Sequence, residues 1–123
     1  MEINEVMNNG IFIGKALILP KKSINMMLES LSKDEKPIII TVCNLGDKPG
    51  VITLTNKRII FTSKVLFNSI KKEFDLKNVT SINYESSFAN KLTIVSYSER
   101  VVITAIEKSS GNKIIDKFNE LKD

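Results

Sequence analysis

Residues 50–62 read Gly50-Val51-Ile52-Thr53-Leu54-Thr55-Asn56-Lys57-Arg58-Ile59-Ile60-Phe61-Thr62. Two runs rich in β-branched residues flank Asn56-Lys57, the turn-forming spot between them. Val, Ile, Thr and Phe suit a pleated, half-buried surface, and Asn tolerates the positive φ that a tight hairpin turn demands. Ile52 and Leu54 fall on one face of the first run, with Val51, Thr53 and Thr55 on the other. The pattern predicts a β-hairpin.

Working outward, the same period of two runs from Ile38 to Ile106. Strands are expected over Ile38–Cys43, Gly50–Thr55, Arg58–Ser63, Ser69–Leu76, Val79–Glu85, Lys91–Tyr97 and Arg100–Ile106. Turn chemistry separates them at 44–50, at Asn56-Lys57, at Ala89-Asn90 and at Ser98-Glu99. On the fourth strand Ile70, Phe74 and Leu76 alternate with Ser69, Lys71, Glu73 and Asp75, which predicts one buried and one wet face. About seven such strands at close spacing predict an antiparallel sheet curled around one core.

Helices are expected at both ends. Ile24, Met27, Leu28 and Leu31 form an apolar stripe at helical spacing, with Pro20 in the first turn or Ser23 as the cap, and Pro37 lies beyond its end. Ile114, Ile115, Phe118 and Leu121 form a second stripe, with Ser109 or Ser110 as its cap, and predict a helix that plugs an open end of the sheet. Before the first helix, residues 11–20 are apolar but interrupted by Lys15, about half a membrane span. Glu2 and Glu5 stand where a signal peptide would be positive, so neither a signal peptide nor a membrane span is expected. Gly10 and Gly14 make a GxxxG spacing that carries little outside a long apolar helix. The stretch is expected either to pack over the domain or to form a subunit contact.

At 123 residues, with 42% hydrophobic and 26% charged, the chain is one ordinary globular domain. The net charge of +4 is spread out, eight basic and six acidic residues before position 63 and ten and eight after it. An acidic partner is permitted but not demanded, and without runs of aromatics among the basic residues nucleic acid is disfavoured. There is no histidine, which removes the usual zinc sites and the Ser-His-Asp and Cys-His arrangements. Cys43 is the one cysteine; it reads as a small buried hydrophobe, and no disulfide can form within the chain. No acid–base pair or nucleophile constellation can be named, so an enzyme is the least favoured class. Asp34 and Glu35, the nearest to candidates, fall in a charged connector of the kind that is commonly solvated.

Seven antiparallel strands followed by one capping helix is the order of a pleckstrin-homology-like barrel, mainly β (α+β). Asp34-Glu35-Lys36, the Gly50–Phe61 hairpin, Lys64-Val65-Leu66-Phe67 and Val79-Thr80-Ser81-Ile82 resemble the bacterial PH-like family of the YokE kind, over residues 23–121. The most specific part is Leu54-Thr55-Asn56-Lys57-Arg58. The resemblance implies residues 23–123 as a PH-like domain, residues 1–22 as an apolar extension, and a non-enzymatic module without a cofactor or small-molecule substrate. Gly50, Thr55, Asn56 and Arg58 are its fold motif, Asn56 at a positive φ and Arg58 in an ion pair or on backbone carbonyls.

Three candidate sites follow. PH domains that bind inositol phosphates carry several basic residues around the loop joining the first two strands; here Lys48 stands alone beside Asp47, against specific phosphoinositide recognition. Lys57 and Arg58 offer an anion contact at a hairpin tip. Val65, Leu66 and Phe67, bracketed by Lys64, Lys71 and Lys72, either fold back onto the barrel or meet a membrane interface or a partner. The leading expectation is a cytoplasmic module that binds protein, including copies of itself, through strand edges and the N-terminal segment. The alternative is a peripheral module on anionic membrane through the 65–67 tip.

Overall fold

The computed structural model describes residues 2–13, 19–87 and 90–122. The predicted subunit-contact stretch and its GxxxG spacing, and the turn at Ala89-Asn90, therefore lie partly outside the described residues. In chain order come α1 (Ile3–Asn8), β1 (Phe12–Ile13), α2 (Leu19–Ser30), β2 (Pro37–Leu45), β3 (Lys48–Thr55), β4 (Arg58–Val65) and β5 (Asn68–Asp75). A 3-10 turn (Leu76–Asn78) leads to β6 (Val79–Glu85), β7 (Lys91–Ser96), β8 (Arg100–Ile103) and α3 (Lys108–Lys122).

One sheet has the order β1-β2-β3-β4-β5, all antiparallel except the short β1–β2 pairing, and the other is an antiparallel β6-β7-β8. Paired backbone bonds between Asn44 and Thr104, at 2.8 and 2.9 Å, join the two sheets. The expected mainly β architecture with a C-terminal helix and an N-terminal helical element is what the chain adopts. The 50–62 hairpin forms as β3 and β4 with Leu54 opposite Ile59.

The expectation of one core fails, because this hairpin is buried on both faces. Ile39, Ile52, Leu54, Ile59, Phe61 and Phe74 face a main core closed by Ile82, Leu92, Ile94 and Ile103 of the second sheet and by Ile114 and Phe118 of α3. On the other face, Ile40, Val51 and Ile60 pack under Ile24 and Met27 of α2 and Val6 of α1 in a separate cluster. The helix stripe at 24–31 is what covers this second face. Each fully buried Ile or Met contributes roughly 1.5–3 kcal/mol, so the covering helix is an integral layer.

Several local expectations are corrected. Asn56 is not among the residues with positive φ, which outside glycine are Leu66 (54°), Asn90 (47°) and Ala105 (56°) among the described residues. Ser109 and Ser110 do not cap α3, which begins at Lys108; Ser110 is buried in the first turn and accepts a hydrogen bond from Thr41 Oγ1 at 3.0 Å. Ser23 lies inside α2, not at its cap, and Leu121 remains partly exposed.

Gly50 sits where the hairpin backbone comes closest. A Cβ there would overlap the Thr62 carbonyl and stand 2.9 Å from the Phe61 ring. Glycine is required there for close approach.

Candidate functional site

β4 joins two unlike ends of the molecule. Its first residue, Arg58, and its last, Val65, are separated by about 24 Å at ~3.4 Å per residue. Of the candidate residues, Lys57 and Arg58 lie at one end and Lys64 to Phe67 at the other, so they form no single site.

At the Arg58 end the chemistry is structural. Arg58 donates from Nε to Glu35 Oε2 at 2.8 Å, from Nη2 to Glu35 Oε1 at 2.5 Å and to the Ser30 carbonyl at 3.1 Å, and from Nη1 to Glu73 Oε2 at 2.8 Å. Four of the five guanidinium N–H groups are thereby engaged in tying the end of α2, the connector and β5 to the hairpin. The Glu35 carboxylate also accepts from Thr55 Oγ1 at 2.6 Å and from the Ser32 amide at 3.2 Å. Burial works to raise its pKa, but Arg58, Thr55 and Ser32 outweigh that and hold it at about 2, against an ordinary 4.5. Glu35 is therefore no solvated connector residue. It is a buried anion matched to one cation, with no substrate-facing side.

Asn56 completes this end. Its Oδ1 accepts from the Lys36 amide at 2.8 Å and its Nδ2 donates to the Asp34 carbonyl at 3.1 Å. Its identity is set by this clip to the connector, not by backbone torsion. Lys57 is exposed, and its carbonyl accepts from the Leu76 amide at 2.9 Å.

The other end is built differently. Val65 pairs with Asn68, which leaves Leu66 and Phe67 as a two-residue turn. Neither folds back onto the barrel: Val65, Leu66 and Phe67 are 43, 79 and 102% exposed. Leu66 also holds φ 54°, a left-handed conformation that costs a branched L-residue about 1–2 kcal/mol. Both hydration and backbone preference would favour Asn or Gly at this turn. An aliphatic and an aromatic residue stand there instead.

The surroundings of the tip are set by strand order and by α2. Ser63 Oγ donates to the Pro49 carbonyl at 2.6 Å, which seats the start of β3 and its exposed Lys48 beside the end of β4. Ser23 accepts at its side chain from the Lys64 amide at 3.0 Å and at its carbonyl from Thr62 Oγ1 at 2.8 Å. With Ser30 bound to Arg58, α2 runs antiparallel to β4 and brings the exposed Lys21 and Lys22 to the tip end.

Lys71 and Lys72 lie elsewhere. They pair with Thr62 and Phe61 across β4, about 10 and 14 Å back from the turn. Lys71 bridges to Glu73 at 3.6 Å; Lys72 bridges to Glu99 at 2.7 Å and lies 5.7 Å from the Phe74 ring centre. Proximity in the chain makes Lys71 and Lys72 the expected neighbours of the tip, but helix packing brings Lys21 and Lys22 to that end instead.

Cys43 is fully buried, and burial pushes its thiol pKa up, which leaves it inert as a nucleophile. Among the described residues, no group of three or more acidic or Cys side chains could hold a metal ion. No described helix is long and apolar enough to cross a membrane.

The fold has solved relatives. It is similar to the Vps36 N-terminal PH domain, with a TM-score of 0.55 and 23% identity over 74% of this chain and 81% of that one. It is also similar to the C-terminal domain of an unknown protein from Leishmania infantum, with a TM-score of 0.52 and 12% identity over 79% of this chain and 92% of that one. At these identities the likeness concerns the fold alone. No curated protein matches the sequence. The family model for the bacterial PH domain matches residues 31–120, a span that holds β2 to β8 and most of α3, and the chain belongs to the bacterial PH domain family, whose fold generally serves to bind protein or lipid.

Proposed function

We propose that this domain is a non-catalytic module that docks reversibly on an anionic membrane surface through the tip Val65-Leu66-Phe67, with Lys64 beside it. The observation that carries the reading is the exposure of Leu66 and Phe67 at a turn where both water and backbone favour other residues. Burying the two side chains in a bilayer interface is worth roughly 1.5–3 kcal/mol each, and a lysine near an anionic surface adds about 1 kcal/mol. The sum, about 4–7 kcal/mol, corresponds to reversible binding in the millimolar to ten-micromolar range. The likeness to the YokE kind, which rests on Leu54 to Arg58, concerns the opposite end and fits a fold motif separate from the docking end.

Contact with protein, including a second copy, is the competing reading. It drew on the N-terminal segment and on open strand edges. The described part of that segment is engaged within its own domain: Val6 is fully buried, the Ile11 carbonyl accepts from the Ile40 amide at 2.9 Å, and β1 pairs with β2. The β5 edge alternates Lys71, Glu73 and Asp75, charges that discourage strand addition. Three exposed side chains at the tip also fall well short of the ~800 Å² per partner of a stable protein interface.

Co-sedimentation with vesicles containing phosphatidylserine tests the proposal. Binding at low salt that weakens at high salt, and is lost in Leu66→Ser with Phe67→Ser, supports it. Absence of binding at low salt, or binding indifferent to the double substitution, overturns it. Light scattering on the eluting chain reads the competing outcome: an oligomer that Leu66→Ser with Phe67→Ser dissolves would assign the tip to self-association.

A further inference from the structure

The tip end carries more positive charge than the chain order around residues 64–72 suggests. Lys64 lies on β4, Lys48 at the start of β3, and Lys21 and Lys22 on the first turns of α2, which Ser23 pins against residues 62–64. All four are exposed, and among the described residues their ammonium groups make no hydrogen bond or ion pair. Lys71 and Lys72, by contrast, are bridged to Glu73 and Glu99. In the two turns at this end, Gly46-Asp47 and Leu66-Phe67, Asp47 is the one acid.

We infer that Lys21, Lys22 and Lys48 form with Lys64 a cationic collar that meets the headgroup layer of an anionic phospholipid surface while Leu66 and Phe67 enter it. The inference rests on the membrane reading of the tip and extends it to α2, which precedes the family match at residue 31. Four cations on three elements around one apolar point are complementary to a negative plane, and they set an orientation. β4 and α2 run antiparallel away from the collar, so the bound domain stands with both elements upright and the Arg58–Glu35 end facing away from the bilayer. A tip alone would let the domain tilt freely; a collar wider than the tip does not.

The experiment compares vesicle affinities of the full chain and two charge-matched variants, on phosphatidylcholine vesicles with about one third phosphatidylserine. Lys21→Gln with Lys22→Gln removes two collar charges. Lys33→Gln with Lys36→Gln removes two exposed charges from the connector at the opposite end. At about 5-fold per lysine, the collar variant binds roughly 25-fold more weakly and with a shallower salt dependence, whereas the connector variant stays within about 2-fold of the parent. Equal losses in both variants overturn the inference, since net charge alone would then account for them. Unchanged binding of the collar variant also overturns it, while leaving the tip reading in place. A parent chain that does not bind removes the tip reading itself. Unfolding midpoints of both variants equal to the parent's establish that the lysines act at the surface and not through the fold.

Discussion

Arg58 and Glu35 form a two-pronged ion pair, Nε to Oε2 at 2.8 Å and Nη2 to Oε1 at 2.5 Å, with the Glu35 side chain closed off from solvent. The pair joins β4 to the α2–β2 connector, and a further bond from Arg58 Nη2 to the Ser30 carbonyl fastens the end of α2. Because α2 covers the second apolar cluster, this guanidinium fastens one end of the outer layer, while Ser23 fastens the other. Removing Glu35 takes away two of the four bonds of Arg58 and leaves it Glu73 and the Ser30 carbonyl, and breaking a buried pair of this kind costs about 3 kcal/mol. Glu35→Ala is therefore expected to lose about 3 kcal/mol or more of unfolding free energy in urea at neutral pH. A loss below about 1 kcal/mol would show that the pair is not a structural anchor.

The same pair sets an acid limb. Glu35 titrates at about 2 in the fold against an ordinary 4.5. Its contribution is fully present above the higher value and is lost as pH falls through the lower one, below which the carboxyl is protonated in folded and unfolded chains alike. The shift corresponds to about 3 kcal/mol. The stability difference between the parent and Glu35→Gln should therefore be constant from pH 7 down to about 5 and shrink toward zero by about pH 2. A difference that persists unchanged at pH 2 would mean the carboxylate charge is not what stabilises the fold.

Asn56 discriminates torsion from side-chain clipping. With its φ outside the positive range and its amide bonded to Lys36 and Asp34, Asn56→Gly should destabilise about as much as Asn56→Ala, roughly 1 kcal/mol. Asp at this position keeps the acceptor toward Lys36 and loses the donor toward Asp34, so it rescues only part. A Gly variant as stable as the parent would restore the torsional explanation.

Leu66 links stability to docking with opposite signs. Asn tolerates the left-handed conformation that Leu66 holds at φ 54°, so Leu66→Asn is expected to gain about 0.5–1 kcal/mol in thermal unfolding. The same variant should bind anionic vesicles about 10-fold more weakly, from the loss of an interfacial aliphatic side chain. Loss of stability together with weaker binding would point to a tip that packs on its own domain.

The architecture was legible because alternation and turn residues agree from residue 38 to residue 106, and two apolar stripes at helical spacing mark α2 and α3. The second core was not. Alternation sets Val51, Thr53 and Thr55 opposite Ile52 and Leu54 without saying what covers them, and only the packing of α2 shows that Val51 shares a cluster with Ile40 and Ile60. The burial of Glu35 is hidden for a related reason: a charged connector reads as solvated unless the cation that buries it is known, and Arg58 lies 23 positions away. At the β4–β5 turn, the apolar tip was visible as three hydrophobic residues between lysines. The lysines that surround it were not, since Lys21, Lys22 and Lys48 reach it through helix and hairpin placement, and two nearer in sequence, Lys71 and Lys72, are bridged to acids.

The chain contains no tryptophan, so Phe67→Trp places a single reporter at the tip. On titration with phosphatidylserine-containing vesicles, membrane docking through the tip predicts a blue-shifted emission that is quenched by lipids brominated near the headgroup end of their chains. Vesicle binding with an emission maximum and quenching unchanged from the free chain would contradict the account, because the domain would then be reaching the membrane by another surface.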